Sequence, residues 1–326
     1  MGRFVKFMAF VICGLSLLAG GAALLGQAQF KNSGPSKQEI SIIIERGMGI
    51  DAIARNLYRA GVLAGPTVFR IAARLSGAGK SLKAGEYAFA PGISPEGALT
   101  LLKSGKNVAR RVTFAEGLST REILALLRRT EGLQGTVTPD PGEGVLLPET
   151  YHFSYGDRRR DVVRRMADAM RTLVSNLWRN RAPGLPFASP SEAVILASIV
   201  ERETALPTER PRVAAVFINR IKRGMRLQSD PTVVYGLTRG AGPLGRALTR
   251  TDLKTASPYN TYLIGGLPPG PIANPGSASL EAVLRPSKSK DLFFVADGQG
   301  GHVFAETLDD HNRNVAAWRK LNRAKK

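Results

Sequence analysis

The chain has 326 residues, 43% of them hydrophobic, enough for two or three domains with real cores. Lys and Arg outnumber Asp and Glu by 46 to 26, and the net charge of +20 predicts attraction to something anionic: nucleic acid, an anionic membrane surface or an acidic polymer. The single cysteine, Cys13, excludes an internal disulfide, so packing alone must stabilise the fold.

Residues 1–6 hold Arg3 and Lys6, and Phe7–Gly26, "FMAFVICGLSLLAGGAALLG", follows without a charge. At about 1.5 Å per residue this run spans roughly 30 Å, the thickness of a bilayer's hydrocarbon core, and predicts a transmembrane helix over 7–26. The basic flank orients the N-terminus to the cytoplasm and leaves the rest extracytoplasmic, anchored at the plasma (inner) membrane. The +20 is compatible with export, because long domains translocate largely regardless of charge. Gly26-Gln27-Ala28 also reads as a small-x-small cleavage site. A removed signal peptide is therefore the competing reading, although the run exceeds a signal core of about 7–15 residues. Cys13 lies inside the run behind Phe10-Val11-Ile12, without the small residues of a lipidation site.

Residues 27–39, polar with Gly34 and Pro35, read as a tether. A repeat follows. "IIIERGMGIDAIARNL" (42–57) and "VTFAEGLSTREILALL" (112–127) match Gly47 to Gly117, Ile53 to Ile123 and Leu57 to Leu127. Each predicts a strand, a turn at glycine and a helix, and Ser119 with Glu122 is a capping-box pattern. Residues 82–105 add a strand, a Pro-Gly turn and a short helix, so 40–108 can close into an α+β module. In the region 109–184, Pro148 breaks "GEGVLLPETYHF", and 157–180 carries Val162, Val163, Met166, Met170, Leu173 and Leu177 on one helical stripe. Its other face is Arg-rich, either simply solvated or facing an anionic surface.

The region 185–326 opens on a helix start, with Ser189 as N-cap, Pro190 at its first position and Glu192 two residues on. Ala193–Val200 is uncharged, and Glu201 follows directly. Either the helix simply leaves the core there, or Glu201 is a carboxyl that keeps its proton against apolar walls and can donate it. On the second reading Glu201→Gln would stabilise the fold at neutral pH. Glu203 lies about 200° further round the helix and makes a poor partner. A second helix, from Thr208 and Pro211 to Gly224, places Glu201 beside a turn, where a cleft wall would be. Gln228 and Asp230 precede a short helix with Pro231 at its start and Tyr235 after it; Asp230 is equally a helix N-cap. Tyr259, Asn260 and Tyr262 then lead into a Gly/Pro-dense loop. Aromatics and amides on rigid loops suit sugar rings and hydroxyls. His152, His302 and His311 are isolated and read as structural or exposed, and no metal motif or cofactor fingerprint is present.

"LASIVERET", "ERPRVAAVFINRIKRGMRLQSDPTVVYG", "SPYNTYLIGGLPPGPIANPG" and "LFFVADGQGGHVFAETLDDHN" together resemble the MltG (YceG-like) family of membrane-anchored endolytic murein transglycosylases. "EGVLLPETY" (143–151) is similar to that family's segment before the catalytic domain, with Leu147 and Glu149 where an aromatic and Asp are more usual. The resemblance implies an α+β fold: one transmembrane helix, a LysM-like module over 40–108 and a mixed α/β catalytic domain over 185–326. It implies that Glu201 is the catalytic acid and base, and that no cofactor is needed. The substrate would be peptidoglycan glycan strands, cleaved between MurNAc and GlcNAc to a 1,6-anhydro-MurNAc end, terminating strand elongation. Gln228, Asp230, Tyr235, Tyr259, Asn260 and Tyr262 would contact glycan, and peptidoglycan synthases would be partners. An intramolecular hydroxyl nucleophile would explain a missing second carboxylate. Three alternatives remain open: a non-catalytic wall-binding adaptor, a hydrolytic muramidase, and a nucleic-acid binder. Dispersed Arg and few Tyr and Trp count against the last.

Overall fold

An apolar run without a breaker becomes the longest helix among the described residues, α1 (Gly2–Lys31). The structure, a computed structural model, describes residues 2–324. Lys6–Lys31 is long and apolar enough to cross a membrane, and its apolar window is unburied by the rest of the protein. The expected tether is shorter than its composition suggests. Helix α1 continues through Lys31, Phe30 packs on the core beyond it, and Gly34 N–H donates to Gly92 O at 3.1 Å. Gly92 N–H in turn donates to Ser36 O at 2.8 Å, so this segment is bonded down rather than free.

The chain divides into two compact units. The first runs to Arg110 and takes in 132–134 and 152–157; the second holds the remainder. In the first, β1 (Ile40–Ile44), α2 (Ile50–Arg59), α3 (Pro66–Leu75), β2 (Gly85–Phe89) and α4 (Pro95–Ser104) follow one another. Strands β1 and β2 pair antiparallel, with Ile40 opposite Phe89 and Ile44 opposite Gly85. Strand alternation turns Tyr87 and Phe89 inward onto Ile53, Leu57, Phe69 and Leu102. Fully burying one such side chain contributes about 1.5–3 kcal/mol, which is what holds so small a sheet. Helix α4 is capped by Ser94, whose Oγ accepts from Gly97 N–H, and ends at Gly105 in the left-handed conformation.

The second unit takes in β3 (Arg110–Thr113) from Arg111 on, α5 (Thr120–Arg129), and β4 (Thr150–Phe153) as far as Tyr151. Both halves of the Ser119–Glu122 capping box form. Helix α6 (Arg159–Arg179) buries Val162, Val163, Met166 and Met170, while Leu173 and Leu177 are only partly covered. Helices α7 (Pro190–Glu203), α8 (Arg210–Lys222), α9 (Asp230–Thr238) and α10 (Ser277–Leu284) follow. An antiparallel hairpin of β5 (Phe293–Ala296) and β6 (His302–Ala305) and then α11 (Leu308–Ala324) complete the unit. Residues Ala193–Val200 of α7 are all buried, which is why this helix shows no polar face there: α6, α8, α9 and α10 pack around it. The mixed α+β class expected from sequence is the observed one.

Candidate active site

Ser189 Oγ accepts from Glu192 N–H and Pro190 opens α7, so the register of the helix is set from its first turn. Ser198, buried on the same helix, donates to Ile195 O at 2.7 Å and accepts from Ile272 N–H at 3.0 Å. It ties α7 to the loop before α10. At the far end, the Glu201 side chain is only 4% exposed. Its walls are not purely apolar, however, and that expectation is corrected. Oε1 accepts from Arg210 Nη2 at 3.1 Å and Oε2 from Gly276 N–H at 2.8 Å. The turn over 204–209 brings the first residue of α8 back alongside the end of α7, which puts a guanidinium where sequence showed only aliphatics. Gln at position 201 would loosen the hold on a buried cation, so the expected stabilisation of the fold by Glu201→Gln does not follow.

Arg210 is shared. Its Nη2 also lies 3.3 Å from Glu116 Oε2, so two carboxylates from distant parts of the chain meet one nitrogen. Burial pushes the Glu116 carboxyl above the usual range, the Glu201 charge adds to this, and Arg210 opposes it. Arg210 Nε is buried without a hydrogen-bond partner among the described residues. Gly276 makes room for Glu116 here: a Cβ on it would fall 1.8 Å from Glu116 Oε1, so a larger residue would displace that side chain. Gly117, at φ +78°, borders Glu201 and donates its N–H to Asn274 O at 3.0 Å. The Asn274 side chain spans Leu118 O, Thr120 Oγ1 and Glu143 Oε1 through Nδ2 and accepts from Leu146 N–H. One buried amide thus joins the α5 approach, the 143–146 segment and the approach to α10.

Glu203 meets other company, as its helical phase requires. Its Oε2 accepts from Ser229 Oγ at 2.9 Å, and burial pushes the carboxyl up, with Asp230 adding to the shift. A cleft of about 240 Å³ opens beside the Glu201 end of α7, lined by Gly117, Ser119, Arg202, Tyr235 and Gly240 among others. Glu201 itself does not line it, but its neighbours Gly117 and Arg202 do.

The six residues expected to touch glycan fall into three situations. Tyr235 lies within α9, not after it, and its ring is 4.8 Å from that of Tyr259, with the Arg239 guanidinium over the latter. Its hydroxyl donates to Glu143 Oε2 at 3.4 Å. Asp230 is the first residue of α9 while Ser229 occupies the cap position, and the Asp230 carboxylate accepts from the Tyr262 hydroxyl at 2.6 Å. Exposed Gln228, at φ +53°, adjoins this pair through its N–H to Thr261 O. Asn260 differs. It is buried, and its amide is taken up by Leu253 O, Thr255 O and Tyr262 N–H, so it shapes the loop. His302 is no isolated ring: its Nδ1 lies 2.7 Å from Glu209 Oε2. Sequence reasoning missed Glu116, Glu143, Arg210, Asn274 and Gly276. The available signal was the repeat itself, in which Glu116 stands where the first copy has Arg46.

The sequence profile of the YceG-like family matches residues 42–317. A protein of Bacillus subtilis (strain 168) named endolytic murein transglycosylase is 32% identical over 91% of this chain and 90% of its own length. One of the same name from Streptococcus pneumoniae (strain D39) is 28% identical over 86% of this chain and 58% of its own. The crystal structure of a YceG-like protein from Listeria monocytogenes superposes with a TM-score of 0.53 at 29% identity, covering 85% of this chain and 99% of that one.

Proposed function

The chain belongs to the YceG-like family, and from that premise we propose that it is an endolytic murein transglycosylase in which Glu201 moves the proton. One observation carries the assignment to Glu201: a carboxylate held by a backbone N–H and a guanidinium at the end of a buried helix, beside a cleft of mixed lining. Glu201 protonates the oxygen of the glycosidic bond between MurNAc and GlcNAc as the bond from C1 breaks. The MurNAc 6-hydroxyl then attacks C1 and returns its proton to Glu201, leaving a 1,6-anhydro-MurNAc end without consuming water. Positive charge develops at C1 as the bond lengthens, and a nearby carboxylate stabilises it. Tyr235 and Tyr259 offer two adjacent, tilted rings to a sugar, and Asp230 with Tyr262 and Gln228 offers polar groups at the adjoining loop. The order β1-α2-α3-β2, with the strands antiparallel, supports a LysM-like glycan-holding role for the first unit. Helix α1 fits a single-pass anchor, and the N-terminus-in orientation would put both units beside nascent strands and their synthases, where cleavage ends elongation.

A hydrolytic muramidase is the second reading, favoured by one observation: Glu116 supplies a second carboxylate. Product analysis separates the two. Purified protein incubated with glycan strands should yield anhydro ends by mass spectrometry, and Glu201→Gln should yield none. Reducing ends carrying an added water would overturn the transglycosylase reading.

A further inference from the structure

We infer that Glu116 is a positioning residue for this reaction: with Glu201 and Arg210 it forms a three-group site that takes up one proton as a unit, the proton Glu201 delivers. The inference rests on the reading of Glu201 given above. Glu201 is 4% and Arg210 11% exposed at the side chain, so their charges are largely out of water, whereas Glu116 is 39% exposed and reaches Arg210 from the solvent side. Both carboxylates accept from the same Nη2, at 3.1 and 3.3 Å. Two carboxylates and one guanidinium sum to one negative charge, and a single added proton makes the site neutral. Burial of Glu201 and Arg210 favours the neutral count. Without Glu116, the Glu201–Arg210 pair is already neutral and has no electrostatic reason to hold a proton.

Glu116 also solves a pairing problem. When Glu201 carries the proton, Arg210 would be a buried cation with no anion; Glu116 remains on its Nη2 and keeps it paired. When Glu201 has given the proton up, Arg210 sits between two carboxylates and needs no rearrangement to stabilise the new charge. The groups facing Glu116 are few. Glu201 comes from the end of α7, Arg210 from the start of α8, and Glu149, a more remote charge, from the segment before β4. Gly276, ahead of α10, contributes no charge: its N–H donates to Glu201, and its missing side chain leaves room for Glu116.

The test is turnover of glycan strands against pH for wild type, Glu116→Gln, Glu116→Asp and Glu201→Gln, with thermal melts over the same range. Glu116→Gln should lose about tenfold at neutral pH and recover as pH falls, its alkaline limb displaced by about one unit or more toward acid. Glu116→Asp, a methylene shorter, should shift less in the same direction. The melts follow from the raised Glu116 carboxyl. Its stabilising contribution is full below the unfolded value and is lost as pH rises through the folded one. Wild type should therefore lose melting temperature relative to Glu116→Gln from mildly acidic to mildly alkaline pH. Unshifted profiles for both Glu116 variants, or melting differences independent of pH, would overturn the inference. Full turnover by Glu201→Gln would instead overturn the assignment of Glu201, whatever Glu116 does.

Discussion

Residues 42–57 and 112–127 follow the same path: a strand, a left-handed glycine, then a helix. Gly47 and Gly117 lie at φ +84° and +78°, and α2 and α5 start at matching positions. Leu57 and Leu127 are both fully buried. The turns keep different company. A Cβ on Gly47 would meet open space, whereas one on Gly117 would touch Arg202 Cδ at 3.4 Å and Glu201 Cγ at 3.5 Å. The residue before each glycine differs in the same sense. Both are exposed, but Arg46 has Asp157 at 3.9 Å, while Glu116 reaches the buried Arg210 guanidinium that also holds Glu201. The strand–turn–helix unit is thus a scaffold whose chemistry depends on one turn residue and its surroundings.

Exchanging those turn residues should have the largest effect. Glu116→Arg sets a second cation against Arg210 and should lower turnover by at least about a hundredfold, while Arg46→Glu should leave turnover unchanged. Equal activity in the two variants would break the comparison. The shared scaffold predicts the opposite outcome in the core. Leu57→Ala and Leu127→Ala should each cost about 2–5 kcal/mol in denaturant unfolding, each within its own unit. A negligible cost at one site would show that the two copies are not equivalent. Ser119→Ala removes a cap that also donates to Gly240 O at 2.7 Å, and should cost about 1 kcal/mol. The smallest effect is expected at the matching position of the first copy, where Gly49 caps α2 without a side-chain bond. There Gly49→Ser should raise stability by only a few tenths of a kcal/mol, read from the same unfolding curves.

Much of this fold was legible because it is local. The Ser189-Pro190 start of α7, the α6 stripe through Met170 and the second-copy capping box are written within single turns of helix, and each is present. The divergence of Glu201 from Glu203 needed only helical phase. What escaped depends on closure. Glu116 reaches Arg210 across 94 residues and Gly276 reaches Glu201 across 75; the repeat sets Glu116 against Arg46 but names neither partner. The same limit explains Asn260, whose amide looked suited to a sugar but is consumed by carbonyls of its own loop. Helix α1 runs past its apolar stretch because Gln27–Lys31 has good helix formers and no breaker, which composition alone read as linker.

The short segment after α1 acts as a ruler. Between Lys31, the last residue of the helix, and Gly34, already bonded to Gly92, the backbone can extend by no more than about 11 Å. Were α1 seated in a bilayer, the first unit would be held within about 11 Å of the end of that helix. Encounter with substrate would then become a search in two dimensions, set by lateral diffusion and by how near the surface a strand is presented. Lengthening this segment with a flexible insert would extend the protein's reach into the wall while diluting it at the membrane face.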